Sequence, residues 1–378
     1  MLNAALGHSM DFDDTYAPGT LHAGVSVISA AIAEAERLFA EGNGVGSEKF
    51  MLAIAVGYEV TCRLGRELGY EAYSRGMHNT GTAGIFGAVA AIAVLRGLAQ
   101  GVVAMAFGLA GSKAAGSMQY LDNGSWNKRL HPGFAVHDGF VCVALAEAGV
   151  VGATRILEGK MGFLQAYSPR TSVGLGRLTE ALGEEWEFLE SSLKPYPACR
   201  MTHGFIEMAG KFHDAREGVK PGNVEKIVLT MSPSNFLLVG DPTPNKIWPG
   251  NVIDAQFSAY FQVANALLNG SNTGLEAYQK LSDPSIREVC QKIAVEQDGT
   301  MTGFSSRIHI QWADAKTDDE EMQYPLGERQ HPFTRDRVDE KFRSLAVPVY
   351  GEEKADEIIQ VVDEIENQSV ERLMSLLR

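Results

Sequence analysis

The first half of the sequence is built from apolar positions that recur every three or four residues. This spacing is typical of α-helices that bury one face. Many of these positions are Ala or Gly, and small side chains allow facing helices to approach one another closely. We therefore predict a compact bundle of helices. The predicted helices are residues 25–40, 49–68, 82–95, 102–116, 140–150 and 177–182.

The pattern changes near Lys194, where the segment KPYP is typical of a turn. Residues Val224–Met231 then alternate apolar and polar side chains, as a half-buried strand does. Residues 307–313 repeat this alternation, and residues 320–324 could pair with them across a turn. Further helices are predicted at residues 203–216, 255–268 and 334–377.

These patterns together predict a fold that is mainly α, in two domains. Residues 1–190 and 329–378 form a large all-helical domain. Residues 191–328 form a smaller α+β domain.

The composition indicates a folded protein with an acidic surface. Of the 378 residues, 45% are hydrophobic, which is enough for a large core, and 21% are charged, too few for a mainly disordered chain. The net charge of -14 argues against nucleic acid or an anionic membrane as a partner. The apolar stretch 86–110 is interrupted by Arg96 and Gln100, so two buried helices explain it better than a membrane span.

The four cysteines lie far apart and form no CxxC motif. This argues against a structural zinc site or an iron–sulfur cluster and fits free thiols in a reducing compartment. The N-terminal sequence lacks the basic start and apolar run of a signal peptide. We expect a cytoplasmic protein, or a mitochondrial one if an N-terminal segment is missing from this sequence.

Three histidines share one sequence context. His22, His78 and His131 each precede a segment rich in Gly and Ala that could begin a helix. Helix N-termini offer free N–H groups and the positive end of the helix dipole, and small residues let a ligand come close. Several such ends around one pocket would bind an anion. The alternative is that these histidines are helix caps or hydrogen-bonded core residues.

An acidic group lies just before His22, in the segment GHSMDFDDT. It contains Asp11, Asp13 and Asp14, and on a helix end Asp11 and Thr15 would share one face. Two alternatives are a solvated helix end and a divalent-metal site. The spacing is a weak metal signal, because Ca²⁺ loops need more oxygen ligands at set positions.

Two basic clusters stand beside prolines and glycines in this acidic chain. They are Lys128, Arg129 and His131 in NKRLHPG, and Lys194, Arg200 and His203 in KPYPACRMTH. Lys and Arg are the natural partners of carboxylates, so the clusters predict an anionic substrate unless they are ordinary surface charge. No nucleotide-binding motif or nucleophile elbow occurs, and Cys199 has no base assignable from spacing.

Five segments, in order, resemble one protein family. They are GHSMDFDDT, GMHNTGTAGIFGA, NGSWNKRLHPGFAVHDG, KPYPACRMTH and HPFTRDRVDEKF. Together they are similar to the MmgE/PrpD family, which includes 2-methylcitrate dehydratase, cis-aconitate decarboxylase and iminodisuccinate epimerase. The resemblance implies a lyase for a small di- or tricarboxylate that needs no cofactor or metal. It also implies an all-helical domain, a smaller α+β lid domain and a homodimer.

The resemblance further implies roles for individual residues. The catalytic residues are His22, His78, Asp11 and Lys194. The substrate-binding residues are Thr15, Lys128, His131, Cys199 and Arg200. His22 would move a proton at the carbon beside a carboxylate, the lysines would stabilise the negative charge that builds there, and His78 would protonate a leaving hydroxide.

Two departures from the family pattern shape this expectation. Cis-aconitate decarboxylase has a histidine where this chain has Cys199, which favours dehydration of a 2-methylcitrate-type substrate over decarboxylation. Epimerisation of a dicarboxylate is a further alternative. Family members also have several more helices before the acidic motif, so the chain could instead be an inactive dimeric scaffold.

Overall fold

The first half of the chain folds into helices, as the spacing of its apolar residues predicts. The computed structural model describes residues 1–168, 176–216 and 218–378. The helices of this half are α1 (Leu2–Ser9), α2 (Gly24–Ala40), α3 (Ser47–Ser74), α4 (Asn79–Arg96), α5 (Gln100–Ala110), α6 (Asn127–Glu147), α7 (Phe163–Tyr167) and α8 (Gly176–Thr179).

Two helices differ from their predicted bounds. Helix α5 ends at Ala110 and is followed by a turn, whereas the apolar spacing predicts that it continues. Helix α6 begins at Asn127, far before the predicted start. Its first turns contain Pro132 and Gly133, the residue types with the lowest helix propensities, so the sequence does not predict a helix there. Packing against α1 and α4 stabilises this segment as a helix despite its sequence.

Helix α4 is the centre of the helical part. It is apolar and long enough to cross a membrane, but 89% of it is buried inside the protein, which is typical of a core helix. Its contact with α3 depends on two glycines. A Cβ atom at Gly57 of α3 would lie 3.0 Å from the Gly87 carbonyl oxygen of α4, and one at Gly87 would lie 1.9 Å from Thr61 Oγ1 of α3. The close approach predicted from the small residues is therefore confirmed.

The second half contains one four-stranded sheet. Strands β3 (Val224–Met231), β4 (Ile293–Gln297), β5 (Ser306–Trp312) and β6 (Thr317–Met322) are arranged in the order β4-β3-β5-β6; two earlier short strands, β1 (Thr15–Tyr16) and β2 (Ser191–Ser192), pair with each other. Strand β4 is parallel to β3, and the other neighbouring strands are antiparallel. The alternation predicts β3 and β5 well, but it places β6 too late and does not predict β4.

Helices cover this sheet and connect its strands. They are α9 (His203–Ala215), α10 (Pro233–Asn235), α11 (Pro244–Ile247), α12 (Val252–Gln256), α13 (Ala259–Asn269) and α14 (Pro284–Cys290). The helix predicted at 255–268 is two helices, because the Ser258 hydroxyl accepts a hydrogen bond from the N–H of Phe261 and caps α13.

The C-terminal segment returns to the helical part. Its helices are α15 (Arg335–Tyr350), α16 (Glu352–Asp363) and α17 (Val370–Leu376). Ile358 and Leu373 share a buried cluster with Ala31, Ala35 and Phe50 from α2 and α3.

The β1–β2 pair joins two segments that are distant in sequence. Thr15 pairs with Ser192, and the Ser192 hydroxyl donates a 3.0 Å hydrogen bond to the Thr15 carbonyl. Lys194 lies two positions after Ser192. The pairing therefore holds Lys194 beside the acidic segment that follows α1. The candidate site forms where these segments meet.

Candidate active site

The predicted site residues converge on one cavity of about 220 Å³. Those that line it are Asp11, Thr15, His22, His78, Lys128, Lys194, Cys199 and Arg200. His131 lies behind His78. Apolar residues including Leu21, Phe257 and Phe304 form part of the wall. The volume corresponds to about seven molecules of liquid water, so the cavity fits a small molecule rather than a polymer.

Asp11 joins the two lysines at the base of this cavity. Lys128 Nζ and Lys194 Nζ each donate a 2.7 Å hydrogen bond to Asp11 Oδ1, and Lys194 also donates to the Asp11 carbonyl at 2.9 Å. All three side chains are buried. Asp11 adopts a φ of 52°, a left-handed conformation that Asp tolerates better than most residues. This turn aims its carboxylate at both ammonium groups.

The charge of this cluster favours an anion. Burial by itself would raise the pKa of Asp11, but the Lys128 and Lys194 ammonium groups hold it well below its usual value. Two cations therefore face one carboxylate, which leaves one positive charge uncompensated within the cluster. Buried charges are costly unless they are paired, so a ligand carboxylate is the natural partner for that excess charge.

His22 lies just before the N-terminus of helix α2 and lines the same cavity. Its Nδ1 is 2.7 Å from the Asp14 carbonyl oxygen, which can only accept, so Nδ1 carries the hydrogen and Nε2 carries the lone pair in the neutral ring. Burial lowers the pKa of His22 to about 3. His22 is therefore a neutral imidazole at physiological pH and can accept a proton.

His78 forms a pair with His131. The two Nδ1 atoms lie 2.9 Å apart, so one ring donates to the other. Burial lowers the pKa of both rings, to about 4 for His131. His78 lies directly before α4, as predicted, but His131 lies inside α6 rather than before a helix. The Pro and Gly that follow His131 resemble a helix start in the sequence, but both lie within α6.

The acidic segment is not a helix end, as the sequence suggests, but a turn that leads into β1. Its three carboxylates contact different partners. Asp13 Oδ2 lies 2.6 Å from His8 Nδ1, and Asp14 accepts from the N–H of Gly24 at 3.1 Å. Because each carboxylate is engaged by a separate protein donor, the predicted alternative of a metal site made from these aspartates does not fit the structure.

His8 is a site residue that the sequence analysis misses. Its ring centroid lies 4.8 Å from that of His22 and 5.6 Å from that of His78. His8 lies three residues before Asp11 in the same segment. The sequence pattern does not select it, because no Gly- or Ala-rich helix start follows it.

Thr15 and Asp11 each have a side-chain oxygen with no partner in the described part of the site. Thr15 Oγ1 and Asp11 Oδ2 are buried and have no hydrogen-bond partner among the residues that the structure describes. Buried polar atoms are nearly always hydrogen-bonded. Each of these two oxygens therefore has hydrogen-bonding capacity that the described residues do not use.

Arg200 and Cys199 line the cavity with different capacities. Every N–H of the Arg200 guanidinium already has a protein acceptor, namely Glu328, His203 or the carbonyls of Pro325 and Leu326. We therefore leave Arg200 out of the set that would hold a substrate carboxylate. Burial raises the pKa of Cys199, which keeps its thiol neutral.

The arrangement places two buried lysines and neutral imidazoles around one small cavity. Comparison with known families then identifies the chain. The profile of the MmgE/PrpD N-terminal domain matches residues 1–175, and that of the MmgE/PrpD C-terminal domain matches residues 196–367. The chain therefore belongs to the MmgE/PrpD family, as its motifs predict.

Curated relatives of this chain are named as decarboxylases. Cis-aconitate decarboxylase of Aspergillus terreus is 25% identical over 96% of this chain and 77% of the relative. The Homo sapiens cis-aconitate decarboxylase is 25% identical over 97% of this chain and 76% of the relative. These similarities support the predicted class of enzyme, a lyase, without selecting the reaction.

The buried histidines predict acid sensitivity of the fold. Burial lowers the pKa of His8, His22, His78, His131 and His203, so below about pH 6.5 the unfolded chain binds protons that the folded chain does not. Asp14 opposes this, since burial raises its pKa to about 6, but it is one group against five.

The free energy of unfolding should therefore fall as the pH decreases. We expect a loss of more than about 1.4 kcal/mol between about pH 6 and about pH 5, since more than one proton is involved. Urea denaturation at each pH measures this. His131→Asn should flatten the dependence, whereas a flat curve for the unaltered protein would contradict the prediction.

Proposed function

We propose that this protein is a lyase that acts on a small di- or tricarboxylate by moving a proton at the carbon beside a carboxylate. The observation that carries this proposal is the buried cluster of Asp11, Lys128 and Lys194 facing neutral His22 across a small cavity. The lysines would hold the substrate carboxylate. They would also stabilise the negative charge that builds on it when the adjacent carbon loses a proton.

His22 would be the group that exchanges this proton. Its free Nε2 is turned away from the Asp14 carbonyl that fixes the ring. A neutral imidazole can take the carbon-bound proton directly, and proximity to the bound carboxylate makes the transfer effectively intramolecular.

Dehydration of a 2-methylcitrate-type substrate is the reaction we place first. It needs two proton-transfer groups, since a C–H bond and a C–O bond both break while a C=C bond forms and water leaves. His22 and His78 both line the cavity, with ring centroids 6.4 Å apart. A bound polycarboxylate would raise the pKa of the His78–His131 pair. That pair could then protonate the leaving hydroxide.

Decarboxylation of a cis-aconitate-type substrate is the second candidate. The named relatives favour it, since they are similar to this chain over nearly its whole length. It needs one proton delivered to carbon while a carboxylate leaves as CO₂. Cys199 argues against it, because the thiol replaces the histidine expected at this position of a decarboxylase.

The test is to incubate the purified protein with methylcitrate, cis-aconitate and related acids and to identify products by NMR. Loss of water marks a dehydratase, CO₂ release marks a decarboxylase, and α-hydrogen exchange at constant mass marks an epimerase. Lys194→Met should abolish whichever activity is found. No turnover of any polycarboxylate would favour the scaffold alternative. Activity lost with EDTA and restored by iron would contradict the side-chain mechanism.

A further inference from the structure

Three imidazoles meet at one point of the cavity wall. One ring nitrogen from each of His8, His22 and His78 lies within 4.8 Å of the other two. His8 and His78 are buried and His22 is nearly so. They come from three elements, since His8 lies on α1, His22 precedes α2 and His78 caps α4.

Hydrogen bonds fix which nitrogens carry lone pairs. The Nδ1 atoms of His8 and His22 contact oxygens of Asp13 and Asp14. The Asp14 carbonyl can only accept, and so can an ionised Asp13, so in both rings Nδ1 donates and Nε2 is a free acceptor. His8 Nε2 is buried and has no hydrogen-bond partner in the described part of the chain. His8 and His22 therefore each keep an Nε2 lone pair for a ligand.

We propose that His8, His22 and His78 form a binding site for a divalent transition metal of the zinc type. Each ring would bind through Nε2. His78 contributes when its Nδ1 donates to His131, which leaves its Nε2 free. Three imidazole nitrogens with an open fourth position are a ligand set that zinc adopts in proteins.

The surroundings resemble those of established metal ligands. Metal-bound histidines almost always donate their other N–H to a carboxylate or a carbonyl. His8 donates to the Asp13 carboxylate at 2.6 Å, and His22 donates to the Asp14 carbonyl at 2.7 Å. The Asp13 carboxylate, with Oδ2 2.6 Å from His8 Nδ1 and 3.7 Å from His22 Nδ1, would offset part of the charge of the metal.

The distances require a modest closure of the site. Tetrahedral zinc with bonds of about 2.0–2.1 Å places its ligand nitrogens about 3.4 Å apart. One nitrogen from each ring lies within 4.8 Å of the other two, so the rings must approach by on the order of 1.4 Å to bind one metal. Tilting of the three rings provides such a movement.

The site has a consequence for activity that rests on the proposed function. A metal on His22 Nε2 occupies the lone pair that would accept the substrate proton. Zinc would therefore inhibit the lyase reaction, and EDTA would restore it. The metal is an inhibitor bound at the proton-transfer group and takes no part in the reaction.

Binding is tested with Co²⁺, which absorbs visible light strongly when it is tetrahedral. We expect the unaltered protein to give this spectrum with one equivalent of Co²⁺ and zinc to displace it. His8→Asn is the informative variant, because Asn keeps an N–H for Asp13 but has no second nitrogen at the ring's far side. It should lower the affinity for Co²⁺ by more than about 100-fold, because loss of a residue that only hydrogen-bonds to a ligand lowers metal affinity by up to about 100-fold. Asp13→Asn should lower it by about 10- to 100-fold.

The matched control is His137→Asn, since His137 is an exposed histidine bonded to Asp138 away from the cavity. It should bind Co²⁺ like the unaltered protein. Equal binding by His8→Asn and His137→Asn, with thermal melts that show both are folded, would overturn the proposal. The measurement uses no substrate, so it succeeds or fails independently of the lyase assignment.

Discussion

Replacing Asp11 with asparagine should lower the free energy of unfolding by about 3–5 kcal/mol and abolish turnover. Asn preserves the size of the side chain and tolerates the φ of 52° at this position. The substitution therefore removes the charge and little else. Lys128 and Lys194 would then be buried 2.7 Å from a neutral amide oxygen without their shared counter-ion. Urea denaturation measures the loss of stability.

The matched control is Asp319→Asn, which removes a carboxylate from an exposed pair with His309. It should change stability by less than about 0.5 kcal/mol. The double variant Asp11→Asn with Lys194→Met tests the cause, because it also removes one unpaired ammonium group. It should be more stable than Asp11→Asn alone while remaining inactive. If Asp11→Asn were as mild as the control, the cluster would not be the charged centre of the site.

The sequence predicts the helical part well because its signals are local. The small apolar residues of α2 and α4 repeat at helical spacing, and the strand β3 has its alternation within one segment. Strand β4 (Ile293–Gln297) is not predicted, because it lies at the sheet edge and only its first residue is buried. An edge strand with one buried residue has little alternation to detect.

The sequence predicts only part of the site, because contacts between distant segments leave no local signal. The family motifs select the residues that line the cavity, but no motif states which hydrogen bonds those residues make. Arg200 has the sequence context of a carboxylate ligand, yet Glu328 and two carbonyls from a distant segment occupy its donors. His8 acquires its role through His22 and His78, which the fold brings together from other helices. Contacts of this kind depend on tertiary structure.

The electrostatic state of the histidines could not be predicted from the sequence either. An exposed histidine titrates near pH 6.5, and on that basis His22 could serve as an acid or as a base. Burial lowers its pKa to about 3, and the Asp14 carbonyl fixes which nitrogen is free. The substrate-free His22 is therefore neutral, which is the state in which an imidazole can accept a proton.

Replacing His22 with asparagine should consequently lower kcat by about 10²- to 10⁴-fold, the usual contribution of a general base. Asn can still donate to the Asp14 carbonyl, so the turn before α2 should be retained. The lysines and Thr15 would still hold the substrate, and its dissociation constant, measured by calorimetry, should change by less than about tenfold. A loss confined to kcat is the signature of a group that acts in the transition state.

His137→Asn is again the control, and its kcat should equal that of the unaltered protein. A second measurement separates proton transfer from misfolding. In deuterated water, an enzyme that abstracts a carbon-bound proton exchanges it with solvent, and His22→Asn should lose this exchange while still binding substrate. Retained exchange would assign the proton transfer to another group. His78 would then be the first candidate, since it is the other imidazole that lines the cavity.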